Sequence, residues 1–167
     1  MHGHREPHAW GECLSPTQRS LDRLRKTGAL AAVVEKWNSH AHIRQDLFGF
    51  IDVVALDDGT GVLGVQTTTG DHVAERVRKV TDDETLSARA RMWLGKGNRV
   101  EFHGWRKIGN RWACRVLDLV LQVDENGPAL QAIERQAEAP AAVRLSRSKT
   151  SGARRRSTRT ASPTLAA

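Results

Sequence analysis

The stretch Gly49-Phe50-Ile51-Asp52-Val53-Val54-Ala55-Leu56, followed after a turn by Val62-Leu63-Gly64-Val65-Gln66-Thr67-Thr68-Thr69-Gly70, decides how the chain is read. The two apolar, β-branched runs flank Asp57-Asp58-Gly59-Thr60-Gly61, whose Asp and Gly residues suit a tight turn, so the pattern predicts a β-hairpin. Both runs are nearly continuous in hydrophobicity and do not alternate, which predicts strands covered on both faces. Each run carries one polar residue without a local partner, Asp52 and Gln66. A buried carboxylate is costly unless it is paired or holds a cation. Side by side on neighbouring strands, Asp52 and Gln66 offer oxygen ligands to a hard divalent metal. Satisfaction of Asp52 by Arg44 or by backbone amides is the competing reading.

Upstream of the hairpin, residues 1–14 show no periodicity and are expected to form a flexible arm carrying His2, His4 and His8. Ser15-Pro16-Thr17-Gln18 predicts a helix start, with Ser15 as N-cap, Pro16 at the first helical position and Gln18 closing a capping box. Leu21 and Leu24 mark its buried stripe and Gly28 its stop. Leu30 to Trp37 is expected as a strand, and Asn38 to Leu47 as a polar loop holding His40, His42, Arg44 and Asp46.

Downstream, Asp71 can cap a helix that buries Val73, Val77 and Val80 and presents Arg76, Arg78 and Lys79. A second helical piece, about 83–94, buries Leu86, Ala90 and Trp93. Residues 99–107 and 111–119 predict another hairpin, about Ile108-Gly109-Asn110. Val100 and Phe102 alternate there with Glu101 and His103, which predicts one wet face. Trp105, Arg106, Lys107, Arg111 and Trp112 gather at its tip, a mixture that suits nucleic acid or a packed cross-strand Trp105–Trp112 pair. Residues 128–138 are expected as a short helix. The domain plan is an arm at 1–14, an α/β domain at 15–123, a helix at 124–139 and a basic tail at 140–167.

The 167 residues suffice for one core. No apolar run approaches the roughly 18 residues that span a bilayer, and the N-terminus reads without a signal-peptide core, so no membrane partner is expected. Cys13 and Cys114 match no metal spacing and read as free thiols, which points to a reducing, cytoplasmic setting. The chain has 26 Lys and Arg against 19 Asp and Glu. Seven of the basic residues (Arg144, Arg147, Lys149, Arg154, Arg155, Arg156 and Arg159) follow Val143 with no acidic residue among them, and removing those seven leaves 19 of each sign. The tail therefore carries all the net charge, and its composition suits a disordered arm that binds polyanions by counterion release.

The element order, α-β-β-β-α-β-β, makes an α/β sandwich about a mixed sheet. With Phe50-Ile51-Asp52-Val53-Val54 where a "PD" strand belongs and Gly64-Val65-Gln66-Thr67-Thr68 where "(D/E)xK" belongs, the chain resembles the PD-(D/E)XK nuclease superfamily, especially the small archaeal-type Holliday-junction resolvases and their phage relatives. The resemblance covers roughly 17–119. It implies a restriction-endonuclease-like fold and Mg²⁺- or Mn²⁺-dependent hydrolysis of DNA phosphodiesters, branched DNA included, by a homodimer. It assigns Asp52, Gln66 and the Thr67 carbonyl to the metal. Gln66 stands in place of an acidic residue and Thr68 in place of the motif lysine, with Lys79 or Arg76 from the following helix as the substitute cation. Asp22 and Glu35 are the candidates for the further acidic residue that family members carry. Arg44, Arg76, Arg78, Arg106, Lys107 and Arg154 to Arg156 would contact DNA. The alternative is a catalytically degenerate nuclease fold that binds DNA as a regulatory module.

Overall fold

The computed structural model describes residues 14–125 and 127–136. The N-terminal arm with its histidines, Cys13, and the basic tail with Arg154, Arg155 and Arg156 lie outside the described residues.

Helix α1 (Pro16–Lys26) begins where the sequence predicts, with the Ser15 hydroxyl accepting from the Gln18 amide at 3.2 Å. The capping box does not close: Gln18 turns its amide to Asp22 at 3.0 Å, one helical turn along. Leu21 and Leu24 are buried, and Gly28 ends the helix at φ +91°.

The sheet follows from the hairpin. Strand β1 (Leu30–Val33) runs antiparallel to β4 (Val53–Leu56), and β4 antiparallel to β5 (Leu63–Thr69). A 3₁₀ turn at Gly70–His72 and helices α2 (Val73–Asp82) and α3 (Glu84–Gly95) then cross over to β6 (Arg99–Ile108), which lies parallel to β5. A parallel neighbour requires such a crossover. Strand β7 (Arg111–Asp124) returns antiparallel about Gly109-Asn110, and β8 (Gly127–Glu134) completes the order β1-β4-β5-β6-β7-β8. The fold is thus α/β with a mixed six-stranded sheet.

One face of the sheet packs Val53, Leu63 and Val65 under Leu21 and Leu24 of α1. The other packs Phe102, Leu117 and Leu119 with Val73 and Val80 of α2 and Ala90 of α3. All of β5 from Leu63 to Thr68 is buried, as its unbroken apolar run predicts. Gly104 lets the crossover approach closely, since a Cβ there would meet Val73 Cγ2 at 2.7 Å.

Four expectations are corrected. Residues 127–134 form a strand, not part of a helix at 124–139, and they extend the domain past 123. Their Ala, Gln, Leu and Glu favour helix intrinsically, but an eight-residue register with β7, with Leu130 and Ala132 leaning on the core, overrides propensity. The loop 38–47 contains part of a second small sheet, β2 (Lys36–Asn38) with β3 (Ile43–Gln45). The seven-element order is therefore too short. The Glu101/His103 face of β6 is dry because α1 covers it. Trp105 and Trp112 are not directly opposed: Trp105 faces Cys114, and Trp112 faces Lys107.

Candidate functional site

Strand β4 starts only at Val53, so β5 runs on beyond its antiparallel partner, and Asp52 fills the vacated position. Its amide donates to the Val65 carbonyl at 2.9 Å, and its own carbonyl accepts from Val34 at 2.8 Å and Glu35 at 3.3 Å. The side chain then takes the place of the missing strand. Asp52 Oδ2 accepts from the Thr67 amide at 2.7 Å, the Thr67 hydroxyl at 2.8 Å and Gln66 Nε2 at 3.0 Å. Because N–H and C=O of one strand residue point the same way, the Thr67 carbonyl also faces the Asp52 side.

Sequence pairing thus brings Asp52, Gln66 and Thr67 together, but as a hydrogen-bonded group. Arg44 does not pair with Asp52; it binds Glu35 at 3.0 Å. Thr67 also meets Thr17 of α1 at 2.9 Å. Thr68 is buried and carries no charge. Asp22 is occupied by Gln18 within α1.

The acidic neighbour that sequence reasoning missed is Asp46. Residues 46–51 fold back on themselves: Leu47 and Ile51 bridge, and Gly49 donates to the Asp46 carbonyl at 3.0 Å. Two consecutive residues in this turn have positive φ, Phe48 at +59° and Gly49 at +87°. Gly49 fits because a Cβ would strike Leu86 Cδ2 at 2.8 Å. Phe48 stores about 1–3 kcal/mol of backbone strain, and Arg89 holds its carbonyl at 3.1 Å. The turn returns Asp46 toward Asp52, near enough for its charge to act on the Asp52 carboxyl. Burial, joined by the Asp46 charge, pushes Asp52 up to about 7 against the opposing pull of the Thr67 amide. The signal available in the sequence was Gly49 between two aspartates.

An open cleft of about 570 Å³ is lined by Arg44, Gln45, Asp46, Phe48, Gly49, Lys79 and Arg89, and Asp52 is not among these residues. Lys79 of α2 is therefore on the same cleft as Asp46. Arg76, Arg78, Arg106 and Lys107 are not among its lining residues; Arg78, Arg106 and Lys107 are exposed, and Arg76 is half-buried.

Among the described residues, no group of three or more His, Cys, Asp or Glu side chains is placed to hold a metal. The oxygen donors gathered here, the buried Asp52 carboxyl, the half-buried Asp46 carboxyl, the neutral Gln66 amide and a strand carbonyl, are of the type hard cations take.

A second polar cluster lies under α1. Ser20 Oγ accepts from Trp105 Nε1 at 2.9 Å and shares a hydrogen bond with His103 Nδ1 at 3.0 Å, while His103 Nε2 meets Glu101 at 2.9 Å. Arg135 closes the chain on Glu101 at 2.8 Å and also pairs with Asp118. Burial opposes ionisation of Glu101, but His103 and Arg135 hold it down to about 2. This Ser–His–Glu order resembles a nucleophile relay, yet Ser20 is fully buried and bound by Trp105. It docks the helix and is closed to substrate. Burial pushes the thiol of half-buried Cys114 up to about 12.

Comparison with known proteins finds no matching family model, curated protein or solved structure. No helix among the described residues is long and apolar enough to cross a membrane.

Proposed function

We propose that the chain is a metal-dependent endodeoxyribonuclease of the PD-(D/E)XK kind, with a restriction-endonuclease-like core, hydrolysing DNA phosphodiesters, branched DNA among them. The observation that carries this reading is the buried Asp52 carboxyl, raised by burial and by the charge of Asp46, with Asp46 and Lys79 lining one cleft. Support comes as well from the order α1, β1, β4, β5, crossover helices, β6 within the main sheet, which follows the order the resemblance implies once the separate β2–β3 hairpin between β1 and β4 is set aside. The basic tail adds sequence-independent affinity for a polyanion.

Asp52 and Asp46, with the Gln66 and Thr67 oxygens, would hold Mg²⁺ or Mn²⁺. Such an ion supplies a water of lowered pKa and screens charge on the phosphate. Lys79, which lines the same cleft as Asp46, would take the part of the absent motif lysine and neutralise charge gathering on a phosphate oxygen. Arg44 and Arg89 position the flanking backbone. Thr67 and Gln66 keep Oδ2 of Asp52 fixed, leaving Oδ1 outside those three bonds.

A second reading has its own observation. Oδ2 of Asp52 is saturated by three donors and the lysine position is a buried threonine, features that suit a degenerate nuclease fold binding DNA without cutting it. Incubating the full chain with plasmid and with a synthetic four-way junction, in Mg²⁺, Mn²⁺ or EDTA, separates the two. We expect nicking or junction resolution with metal only, and its loss by about 10²-fold or more in Asp52→Asn with DNA affinity retained. Binding without any metal-dependent cleavage would favour the degenerate module.

A further inference from the structure

Phe48 is a bulky residue in left-handed backbone, φ +59°, and its own burial does not explain it, for 49% of its surface is exposed. What holds it is the backbone around it. Arg89 of α3 fastens its carbonyl, and the next residue, Gly49, lies so near the same helix that a Cβ would strike Leu86. The ring leans on Trp93, 5.9 Å between centroids and 55° inclined, and lines a cleft shared by Arg44, Lys79 and Arg89 with a single acidic residue, Asp46, Arg44 being paired with Glu35. Strain of this kind gathers at sites where a side chain must be presented.

We infer that Phe48 is a base-stacking platform: it receives an unpaired nucleobase of DNA whose neighbouring phosphate lies among Arg44, Lys79 and Arg89. An exposed aromatic face beside several cations is the combination that single-stranded nucleic acid uses, base on ring and phosphate on charge. Within a continuous duplex both faces of each base are already stacked, so only a gap, flap or open junction arm offers a base to the ring. The cleft's volume lies within the range of ligand sites. The inference rests on the nuclease reading and names its substrate class: DNA with an unstacked nucleotide next to the scissile phosphate.

The test is binding in EDTA. Wild type, Phe48→Gly and Phe48→Trp are titrated against a single strand and a blunt duplex of the same sequence, each carrying 2-aminopurine. Glycine suits φ +59° without strain, so the first variant removes the ring while relieving the backbone. Wild type should alter the 2-aminopurine emission in the single strand and not in the duplex. Phe48→Gly should weaken single-strand binding by about 5- to 100-fold, abolish the emission change and leave duplex affinity within about 2-fold. Phe48→Trp should keep both. An unchanged single-strand affinity in Phe48→Gly, or an equal loss for both DNAs, overturns the inference. Repeating the assay with Mg²⁺ keeps the failures apart. Cleavage indifferent to Phe48 removes the stacking role alone, and Phe48-dependent stacking without cleavage removes the nuclease reading alone.

Discussion

Asp52, just ahead of β4, and Glu101, on β6, are 5% and 6% exposed, and the protein treats them in opposite ways. Glu101 has a cation on one oxygen and an imidazole on the other, and its carboxyl is held down to about 2 although burial opposes this. Asp52 has only neutral donors, all on one oxygen, with a second carboxyl beside it, and burial raises it to about 7. Depth is the same, so the difference lies in the company. A buried carboxylate that folding has already balanced is architecture. One that folding leaves unbalanced retains its affinity for a cation, and perturbed groups of this sort gather at functional sites.

The largest effect that sharpens this contrast is on stability. Glu101→Ala should cost about 3 kcal/mol or more, because it strands Arg135 and His103 around an emptied position. Asp52→Asn in EDTA should leave stability unchanged or raise it. Asparagine keeps an acceptor oxygen for the Thr67 and Gln66 donors and turns an amide toward Asp46 where a like charge stood. Urea unfolding of the two variants against wild type checks both, and equal losses would erase the distinction between the two carboxylates.

Next in size is Lys79. Lys79→Met should slow cleavage by about 10²-fold, as loss of one transition-state donor does, with DNA affinity little changed. If affinity falls and the cleavage step does not, Lys79 is a phosphate-positioning residue.

The smallest effect is on pH dependence. Asp52 is protonated more readily folded than unfolded, so its contribution is greatest below the ordinary carboxylate range and declines as pH rises toward about 7. Glu101 has the opposite sign: its stabilisation is complete above the ordinary carboxylate range and lost as pH falls toward about 2. In EDTA, Asp52→Asn should therefore flatten the decline between about pH 4 and 7, and Asp46→Asn should flatten it only partly, because burial remains the larger cause. Unfolding free energies across that range measure it, and identical profiles for all three proteins would discount the Asp46–Asp52 pair.

The hairpin of Asp52 and Gln66 was legible because β-branched runs and turn residues act locally, as do the Ser15 cap and the valine stripe of α2. What stayed hidden depends on distant partners. Strand β8 has a helical composition and takes its form from β7. Glu101 and His103 alternate like a wet face, and only α1, more than 80 residues earlier in the chain at Ser20, makes them dry. Asp46 read as a loop residue because nothing in its type announces that the Phe48–Gly49 turn returns it to Asp52. Arg135, the counter-charge of Glu101, lay in a segment expected to be helical.

The most direct measurement is the melting temperature of wild type and Asp52→Asn as Mg²⁺ is raised. An ion that binds only the folded state must stabilise it. A rise is expected in wild type at about millimolar Mg²⁺, because the ion must displace a proton that burial favours on Asp52, and none in Asp52→Asn. A large stability loss in Asp52→Asn, with no response to Mg²⁺ in either protein, would contradict it.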